Sequence, residues 1–376
     1  MKASVRRAAG SVLVVGLGGT ELTGLERAWL KLVQPAGIIL FRRNIAGARQ
    51  TRVLLDEAAS LCTAHSLRCV DAEGGTVDRL RDALAPIPSA QAVAQTARCA
   101  RIDSLAREHG EMIAQSVMAF GFNATLAPVL DLALPESASV MGTRCAAASA
   151  AAVVTYARAF LTGLRANGVA GCGKHFPGLG GGTRDSHLET PAIERTWRQL
   201  WREDLEPYRA LRGELPMVMV NHAAYPATRG GEWPASASKF WITTVLRKRI
   251  GYQGIILSDD LEMGGILKFM PIEEAAIAAV CAGIDLLEIC HSAELILRSY
   301  EALIAEGERS AAFAKLLTAR ARESARKRAK LFADSSAPAL RARQFEALRS
   351  RVLRFGERIE KARQVNALFD QEEQPA

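Results

Sequence analysis

The chain has 376 residues, 49% of them hydrophobic and 23% charged, which is the composition of an ordinary soluble globular protein. Seven cysteines, an odd number without paired spacing, argue against a disulfide framework and favour a reducing compartment. No apolar run in the sequence reaches the roughly 18 residues that a membrane span requires. We therefore expect a cytoplasmic protein without a membrane partner.

The net charge of +8 raises the question of a nucleic-acid partner, because basic proteins often bind nucleic acid. Much of the excess lies between Arg309 and Arg363, away from the candidate catalytic residues described below. A solvated helical face or an anionic substrate explains such a distribution as well. We expect no nucleic-acid partner.

The N-terminus allows two interpretations. Lys2, Arg6 and Arg7 precede the apolar stretch 11–17, a pattern that resembles an export signal with a twin arginine. The same stretch is also typical of a first β-strand bounded by Gly16, with further glycines after it. We prefer the strand, because the barrel described next needs it, and we expect the first residues to be retained.

Short apolar runs rich in Val, Ile and Leu alternate with segments of helical periodicity along most of the chain. Buried parallel strands appear in sequence as continuous apolar runs. Eight strand–helix units in series indicate a closed (β/α)8 TIM barrel. The predicted strands are 12–15, 37–41, 68–71, 123–128, 169–175, 217–221, 254–258 and 285–289, with helices such as 150–167 and 272–282 between them.

The last barrel helix is expected to end near Ala333, because the next five residues, Asp334-Ser335-Ser336-Ala337-Pro338, are typical breakers. Beyond them, 339–366 has the pattern of a charged amphipathic helix. We divide the chain into a catalytic barrel, 1–334, and a basic helical C-terminal extension, 335–376.

Polar residues stand at or just after five of the predicted strands, where the active sites of such barrels form. They are Asp71 and Glu73 for the third strand, Lys174 and His175 for the fifth, Asn221 and His222 for the sixth, Asp259 and Asp260 for the seventh, and Glu288 and His291 for the eighth. Carboxylates, imidazoles and a lysine therefore converge on one face of the barrel.

A glycine-rich loop follows the fifth strand and runs from Gly178 to His187. Its glycines permit a mobile backbone that could bring a catalytic group to a substrate and withdraw it. Asp185 and His187 are two residues apart, so in an extended segment they point the same way and the carboxylate can orient the imidazole. The pair is a candidate general acid/base unit, although Asp185 could equally cap a turn.

In combination, these motifs resemble the bacterial β-N-acetylglucosaminidases of glycoside hydrolase family 3. The similarity runs in order from about Val12 to about Ala333. The matching motifs are Gly37-Ile38-Ile39-Leu40-Phe41 with Asn44, Asp71-Ala72-Glu73-Gly74-Gly75, Ala127-Pro128-Val129-Leu130-Asp131, Lys174-His175-Phe176-Pro177-Gly178, Asp185-Ser186-His187 and Ser258-Asp259-Asp260-Leu261-Glu262-Met263.

The resemblance implies a retaining hydrolase that removes terminal β-linked N-acetylglucosamine, from peptidoglycan fragments in cell-wall recycling. Asp259 would be the nucleophile that forms a covalent glycosyl-enzyme, His187 the general acid/base, and Asp185 its positioning partner. Five further residues would bind the sugar: Asp71, Arg79, Arg144, Lys174 and His175. No cofactor and no metal is implied.

The residue types suit this chemistry independently of the resemblance. A carboxylate accepts hydrogen bonds from sugar hydroxyls, and lysine and arginine donate to them. The transition state carries positive charge, which favours an anionic nucleophile beside it. Retaining enzymes usually employ two carboxyl groups, whereas a His–Asp pair would replace one of them in this chain. Relatives often carry arginine or histidine in place of Leu179 and aspartate in place of Gly181, so the dynamics of the loop and the aglycone preference are open.

Several residues invite a second interpretation. We expect Asp260 to support the strand end and Cys172 to be a small core residue. Glu73 could bind the sugar, but we expect it to cap the Gly74–Gly75 turn. His222 could line the pocket or pack as a hydrogen-bonded core histidine, and His65, His109 and His291 are expected to be structural or exposed. The segment that begins at Gly16 lacks the third glycine of a dinucleotide-binding loop.

Three alternative functions stay open on the sequence. A β-glucosidase would share the fold and the nucleophile, and a phosphorylase would use phosphate in place of water. A catalytically silent sugar-binding protein is a third alternative, against which the intact set of Asp185, His187 and Asp259 argues.

Overall fold

Eight short parallel strands close into a barrel in the computed structural model, which describes residues 2–96, 102–182, 190–333 and 339–372. In chain order the barrel strands are β1 (Leu13–Val15), β2 (Gly37–Leu40), β3 (Leu67–Val70), β6 (Ala124–Thr125), β7 (Ala170–Phe176), β8 (Met217–Val220), β9 (Ile255–Asp260) and β10 (Leu286–Ile289), and β10 pairs with β1 to close the ring. A small antiparallel hairpin, β4 (Ala72–Gly74) and β5 (Val77–Asp78), follows β3. The predicted TIM barrel is confirmed, and each predicted strand overlaps an observed one.

Helical segments connect the strands. The α-helices are α1 (Lys2–Gly10), α2 (Gly24–Val33), α3 (Ala48–Ser60), α4 (Ala90–Thr96), α5 (Ile102–Ala119), α6 (Ala138–Met141), α7 (Ala150–Ala166), α8 (Trp197–Arg202), α9 (Glu206–Ala210), α10 (Gly264–Leu267), α11 (Ile272–Ala282), α12 (Ala293–Arg309), α13 (Ala311–Phe332) and α14 (Ala342–Glu372). A π-helix, Phe240–Arg249, connects β8 to β9. In the parts of the chain that the structure describes, no helix is both long and apolar enough to span a membrane.

The barrel interior is filled by alternate residues of the strands, as expected for a closed parallel sheet. Val14, Ile39, Cys69, Cys172 and Leu257 belong to this inner cluster. Their neighbours along the strands pack outward against the helices in a second, larger cluster. Cys172 is a buried core residue, as the sequence predicted.

The N-terminal segment places the stretch 13–15 inside the barrel as β1, in agreement with the strand interpretation. The residues before it form α1, a helix that the sequence analysis did not predict. Val5 of α1 is buried, and α1 packs against α12 and α13.

The C-terminal helix α14 packs on the outside of the barrel against α4 and α5. Its apolar face is buried in the same core cluster as the barrel helices, through Leu348, Val352, Phe355 and Ile359. Phe355 stacks on the buried ring of His109, with 6.0 Å between the ring centroids. The basic side chains of α14 lie on the opposite, exposed face, for example Arg343 and Arg354.

Candidate active site

A cavity of about 490 Å³ opens at the C-terminal ends of the barrel strands. Six of the predicted site residues line it: Asp71, Arg79, Arg144, Lys174, His175 and Asp259. The remaining two, Asp185 and His187, lie in 183–189, outside the described residues. The barrel therefore brings together side chains that are far apart in sequence, as their positions at the strand ends predicted.

A buried ion cluster lies beside the cavity. Lys174 Nζ donates a hydrogen bond to Asp71 Oδ1 at 2.8 Å and lies 2.6 Å from Glu73 Oε1. Arg144 donates to both oxygens of Glu73, from Nε at 2.9 Å and from Nη2 at 2.8 Å. This is the bidentate geometry that guanidinium and carboxylate groups prefer. Two cations thus face two carboxylates.

The cluster keeps its own members charged. Burial alone would raise the pKa of Asp71, but Lys174 and Arg79 outweigh it and hold that pKa well below its ordinary value. Burial would also raise the pKa of Glu73. The charges of Arg144 and Lys174 outweigh it and lower that pKa to about 2. Burial opposes the charge on Lys174 and Arg144, and the carboxylates that they face raise the pKa of both. A sugar bound in the cavity would therefore contact carboxylates that accept hydrogen bonds and cations that donate them.

His175 is held by Asp131, a residue that the sequence analysis did not assign to the site. Asp131 Oδ2 lies 2.7 Å from His175 Nδ1 and accepts a hydrogen bond from the His175 backbone N–H at 3.1 Å. The other oxygen of Asp131 accepts from the backbone N–H of Leu179 at 2.7 Å. The opposite ring nitrogen, His175 Nε2, is 3.3 Å from Arg144 Nη2, so the imidazole is fixed on both sides.

Arg79 and Phe41 form a further part of the cavity lining. Arg79 Nη2 is 3.5 Å from Asp71 Oδ2, and its guanidinium lies over the ring of Phe41 at 5.7 Å from the centroid. Arg43 lies over the same ring at 4.9 Å. The cavity therefore combines an apolar ring with several charged donors.

Asp259 is half-buried near the end of β9 and lines the cavity. Its Oδ1 accepts a hydrogen bond from the backbone N–H of Asp260 at 3.0 Å. Asp260 has the supporting role that the sequence predicted, because its Oδ1 accepts from the backbone N–H groups of Glu262 and Cys290. Burial, with a smaller contribution from the charges of Glu262 and Asp259, raises the pKa of Asp260 to about 7.

Leu179 and Gly181, the two loop positions singled out in the sequence, lie in the described part of the chain. Leu179 lines the cavity. A Cβ atom at Gly181 would lie 2.6 Å from Cδ of Arg195, whose guanidinium donates to Asp204 at 2.8 Å. A larger residue at position 181 would therefore have to displace the Arg195 side chain.

Two interpretations made from sequence are decided by these contacts. Glu73 was expected to cap a local turn, but its carboxylate binds Arg144 and Lys174, which lie 71 and about a hundred residues away in the sequence. His222 is a buried, hydrogen-bonded histidine: Nδ1 lies 2.7 Å from Ser236 Oγ and Nε2 lies 2.9 Å from the Asp260 carbonyl oxygen.

Asp131, Glu288 and His291 also belong to the site. Asp131 follows the fourth barrel strand, so the strand-end rule would have found it had it been applied there. Glu288 and His291 line the cavity. His291 was expected to be structural or exposed; its side chain is 53% exposed, and its Nδ1 lies 2.7 Å from Arg43 Nη1. Burial and the charge of Arg43 lower the pKa of His291.

One group of described side chains has metal-ligand spacing. Donor atoms of Asp260, Glu262 and His291 lie within 4.8 Å of one another. Each of the three residues has a protein partner: Asp260 and Glu262 accept backbone hydrogen bonds, and Arg43 contacts His291 Nδ1. A guanidinium in that position would also repel a cation.

Comparisons with known proteins agree with this architecture. Residues 11–322 match the family model described as the glycosyl hydrolase family 3 N terminal domain. A protein named beta-hexosaminidase from Alkalilimnicola ehrlichii is 38% identical over 287 residues, which are 76% of this chain and 82% of that protein.

Two solved structures are similar over most of the chain. A glycoside hydrolase family 3 beta-N-acetylglucosaminidase from Paenibacillus superposes with a TM-score of 0.82 at 29% identity, over 92% of this chain and 68% of that one. NagZ from Neisseria gonorrhoeae in complex with N-trifluoroacetyl-D-glucosamine superposes with a TM-score of 0.70 at 30% identity, over 84% of this chain and 98% of that one.

Proposed function

The chain belongs to glycosyl hydrolase family 3 and is a glycoside hydrolase, and on that premise we propose that it removes terminal β-linked N-acetylglucosamine with retention of anomeric configuration. The observation that carries this proposal is the gathering of six predicted site residues around one cavity, with Asp259 among them. The names of the relatives, beta-hexosaminidase and beta-N-acetylglucosaminidase, support the choice of sugar. So does the glucosamine derivative in the gonococcal complex.

The reaction has two steps in this proposal. First, a carboxylate oxygen of Asp259 forms a bond to the anomeric carbon while the glycosidic C–O bond breaks, and His187 gives its proton to the leaving oxygen. Second, His187 takes a proton from water, the water oxygen bonds to the anomeric carbon, and Asp259 is released. Asp185 orients His187 throughout. Each step conserves protons, and the two steps together return Asp259 and His187 to their starting states.

In this proposal, the charged residues of the cavity bind the sugar. Asp71 offers carboxylate oxygens to sugar hydroxyls, while Lys174, Arg144 and Arg79 donate hydrogen bonds. His175 is held in one orientation by Asp131, so its contact with the sugar would cost little ordering entropy. Fixed polar groups of this kind favour a substrate that satisfies all of them.

The natural substrate in this proposal is a fragment of peptidoglycan that ends in N-acetylglucosamine. We also propose that the enzyme acts in the cytoplasm, during cell-wall recycling. The six cysteines in the described parts of the chain are all free, as is usual in a reducing compartment. Subcellular fractionation, with mass spectrometry of the native N-terminus, tests this location; a mature protein that begins beyond about residue 20 would contradict it.

We retain the division of the chain into a catalytic barrel, 1–334, and a C-terminal extension, 335–376, as a proposal. In this division the chemistry belongs to the barrel, since none of the described residues that line the cavity comes from α14. The match to the family model, which ends at 322, supports the division.

A panel of aryl β-glycosides tests the function. We expect kcat/KM for the N-acetylglucosaminide to exceed that for the matching glucoside by at least about tenfold, because groups that pair with the acetamide are left unsatisfied by a plain hydroxyl. Equal turnover of both would favour the β-glucosidase alternative. Turnover that depends on added phosphate would favour a phosphorylase.

A further inference from the structure

Glu288 is a buried carboxyl group that faces the catalytic cavity and has no place in the reaction described above. It lies on β10 between Leu286 and Cys290, both of which belong to the cluster that fills the barrel interior. The alternate residues Leu287 and Ile289 belong to the outer cluster. Because side chains alternate along a strand, Glu288 points into the barrel, where it lines the cavity and is only 2% exposed.

In the described part of the chain, the charged groups that act on Glu288 are mostly carboxylates. Lys174 is the nearby positive charge, and its ammonium group is already bound to Asp71 and Glu73. Burial in the first place, and then the carboxylates of Asp71, Asp259 and Asp260, raise the pKa of Glu288 well above its ordinary value. The thiols of Cys69, Cys172 and Cys290 are further titratable neighbours. Burial and these carboxylates therefore favour the protonated form of Glu288.

A neutral carboxyl group has one O–H donor as well as acceptor oxygens. The sulfur of Cys69 lies 4.0 Å from Oε1 of Glu288 and 3.7 Å from the carbonyl oxygen of Ile38, and among the described residues its thiol is the one hydrogen-bond partner of this carboxyl group. A thiol is a weak donor and occupies only an acceptor position. The other carboxyl oxygen has no hydrogen-bond partner among the described residues, and Glu288 lines a sugar-sized cavity, so its O–H group is available to a ligand there.

We propose that Glu288 is a further substrate-binding residue, which donates a hydrogen bond from its neutral carboxyl group to a ring hydroxyl of the sugar at the floor of the cavity. This inference rests on the proposed glycosidase site, because it places the sugar in the same cavity. A sugar hydroxyl is a suitable partner, since it accepts a hydrogen bond without bringing a further negative charge next to Asp71 and Asp259.

Two variants distinguish the effect of the hydrogen-bond donor from the effect of side-chain volume. Glu288→Gln keeps a donor of nearly the same size, whereas Glu288→Leu keeps the volume and removes the donor. Neither should prevent folding, because replacement of a buried ionisable group by a neutral or apolar one of similar volume is often neutral or stabilising. Thermal unfolding of both variants checks this directly.

The decisive measurement combines these variants with aryl N-acetyl-β-D-glucosaminides that lack the hydroxyl at C3, C4 or C6. With the wild-type enzyme, the analogue that lacks the contacted hydroxyl should lose at least about tenfold in kcat/KM, the size of one lost hydrogen bond in a buried site. Glu288→Leu should show a similar loss on the parent substrate and no further loss on that one analogue. Glu288→Gln should follow the wild type with every analogue.

Three results would overturn the proposal: full activity of Glu288→Leu on the parent substrate, equal added losses with all three analogues, or a Glu288→Gln variant as impaired as Glu288→Leu. Failure of the proposed function is seen separately, as absence of wild-type turnover of the parent N-acetylglucosaminide. In that case the same deoxy series is measured on whichever aryl glycoside the wild type cleaves.

Discussion

Asp131 and His175 are 44 residues apart in sequence, yet one carboxylate oxygen of Asp131 contacts both the backbone N–H and the ring Nδ1 of His175. The carboxylate therefore fixes both the position of the chain and the tautomer of the ring. Asp131→Ala should lower kcat/KM roughly tenfold to a hundredfold, since it leaves buried donors unpaired at about 1–3 kcal/mol. Steady-state kinetics on an aryl N-acetylglucosaminide measures the loss. Wild-type kinetics in a folded Asp131→Ala variant would exclude this role.

Asp259 is expected to be the nucleophile. Asp259→Ala should lose roughly three or more orders of magnitude in kcat, a rise in the barrier of about 4 kcal/mol. A mechanism-based fluorosugar should form a stable ester on Asp259, which peptide mass spectrometry locates. Asp260→Asn serves as the control and should still be labelled at Asp259. Labelling of Asp260 or Glu73 in the wild type would disprove the assignment.

His187 is expected to be the general acid/base, oriented by Asp185. His187→Ala should lose far less activity on aryl glycosides with good leaving groups than on those with poor ones, because a good leaving group needs little protonation. A series of phenols of graded pKa measures this dependence. Asp185→Asn should show the same trend with a smaller amplitude. Equal losses across the series would contradict the role.

Asp260 is expected to make stability depend on pH. Its pKa is raised from 3.8 to about 7 in the folded protein, so between these values the folded state binds more protons than the unfolded state. The free energy of unfolding should therefore fall as the pH rises through this window.

Asp260→Asn keeps an oxygen for the N–H groups of Glu262 and Cys290 and has no charge to bury. Its advantage over wild type should be on the order of 1–3 kcal/mol at pH 8 and close to zero at pH 4. Urea unfolding at both pH values measures it; the same advantage at pH 4 and pH 8 would refute the explanation.

Phe355 is expected to anchor α14 to the barrel. The ring is 2% exposed and stacks on His109, so Phe355→Ala should lower the free energy of unfolding by about 3–5 kcal/mol. Leu353 lies on the same helix but is 42% exposed, and Leu353→Ala should change stability by less than about 1 kcal/mol. Urea denaturation of the two variants gives the comparison. Similar small losses for both would mean that α14 adds little to the stability of the barrel.

Local sequence pattern was enough to predict the barrel and several of the polar residues that line the cavity. Buried parallel strands need continuous apolar runs, and eight such runs in series leave few other folds open. Because all parallel strands present their C-terminal ends on one face, polar residues such as Asp71, Lys174 and Asp259 could be placed together before any contact was known. Two further lining residues, Arg79 and Arg144, were predicted only from the family resemblance.

Only the tertiary structure decided which of these groups pair and what charge they carry. Glu73 could satisfy its carboxylate locally or across the barrel, and the closure of the ring brought Arg144 and Lys174 to it. The same closure left Glu288 inside the barrel beside the carboxylates of Asp71, Asp259 and Asp260. Burial and the nearest charges determine these outcomes, and both depend on distances between strands that are far apart in sequence. A sequence records the residue types but not those distances.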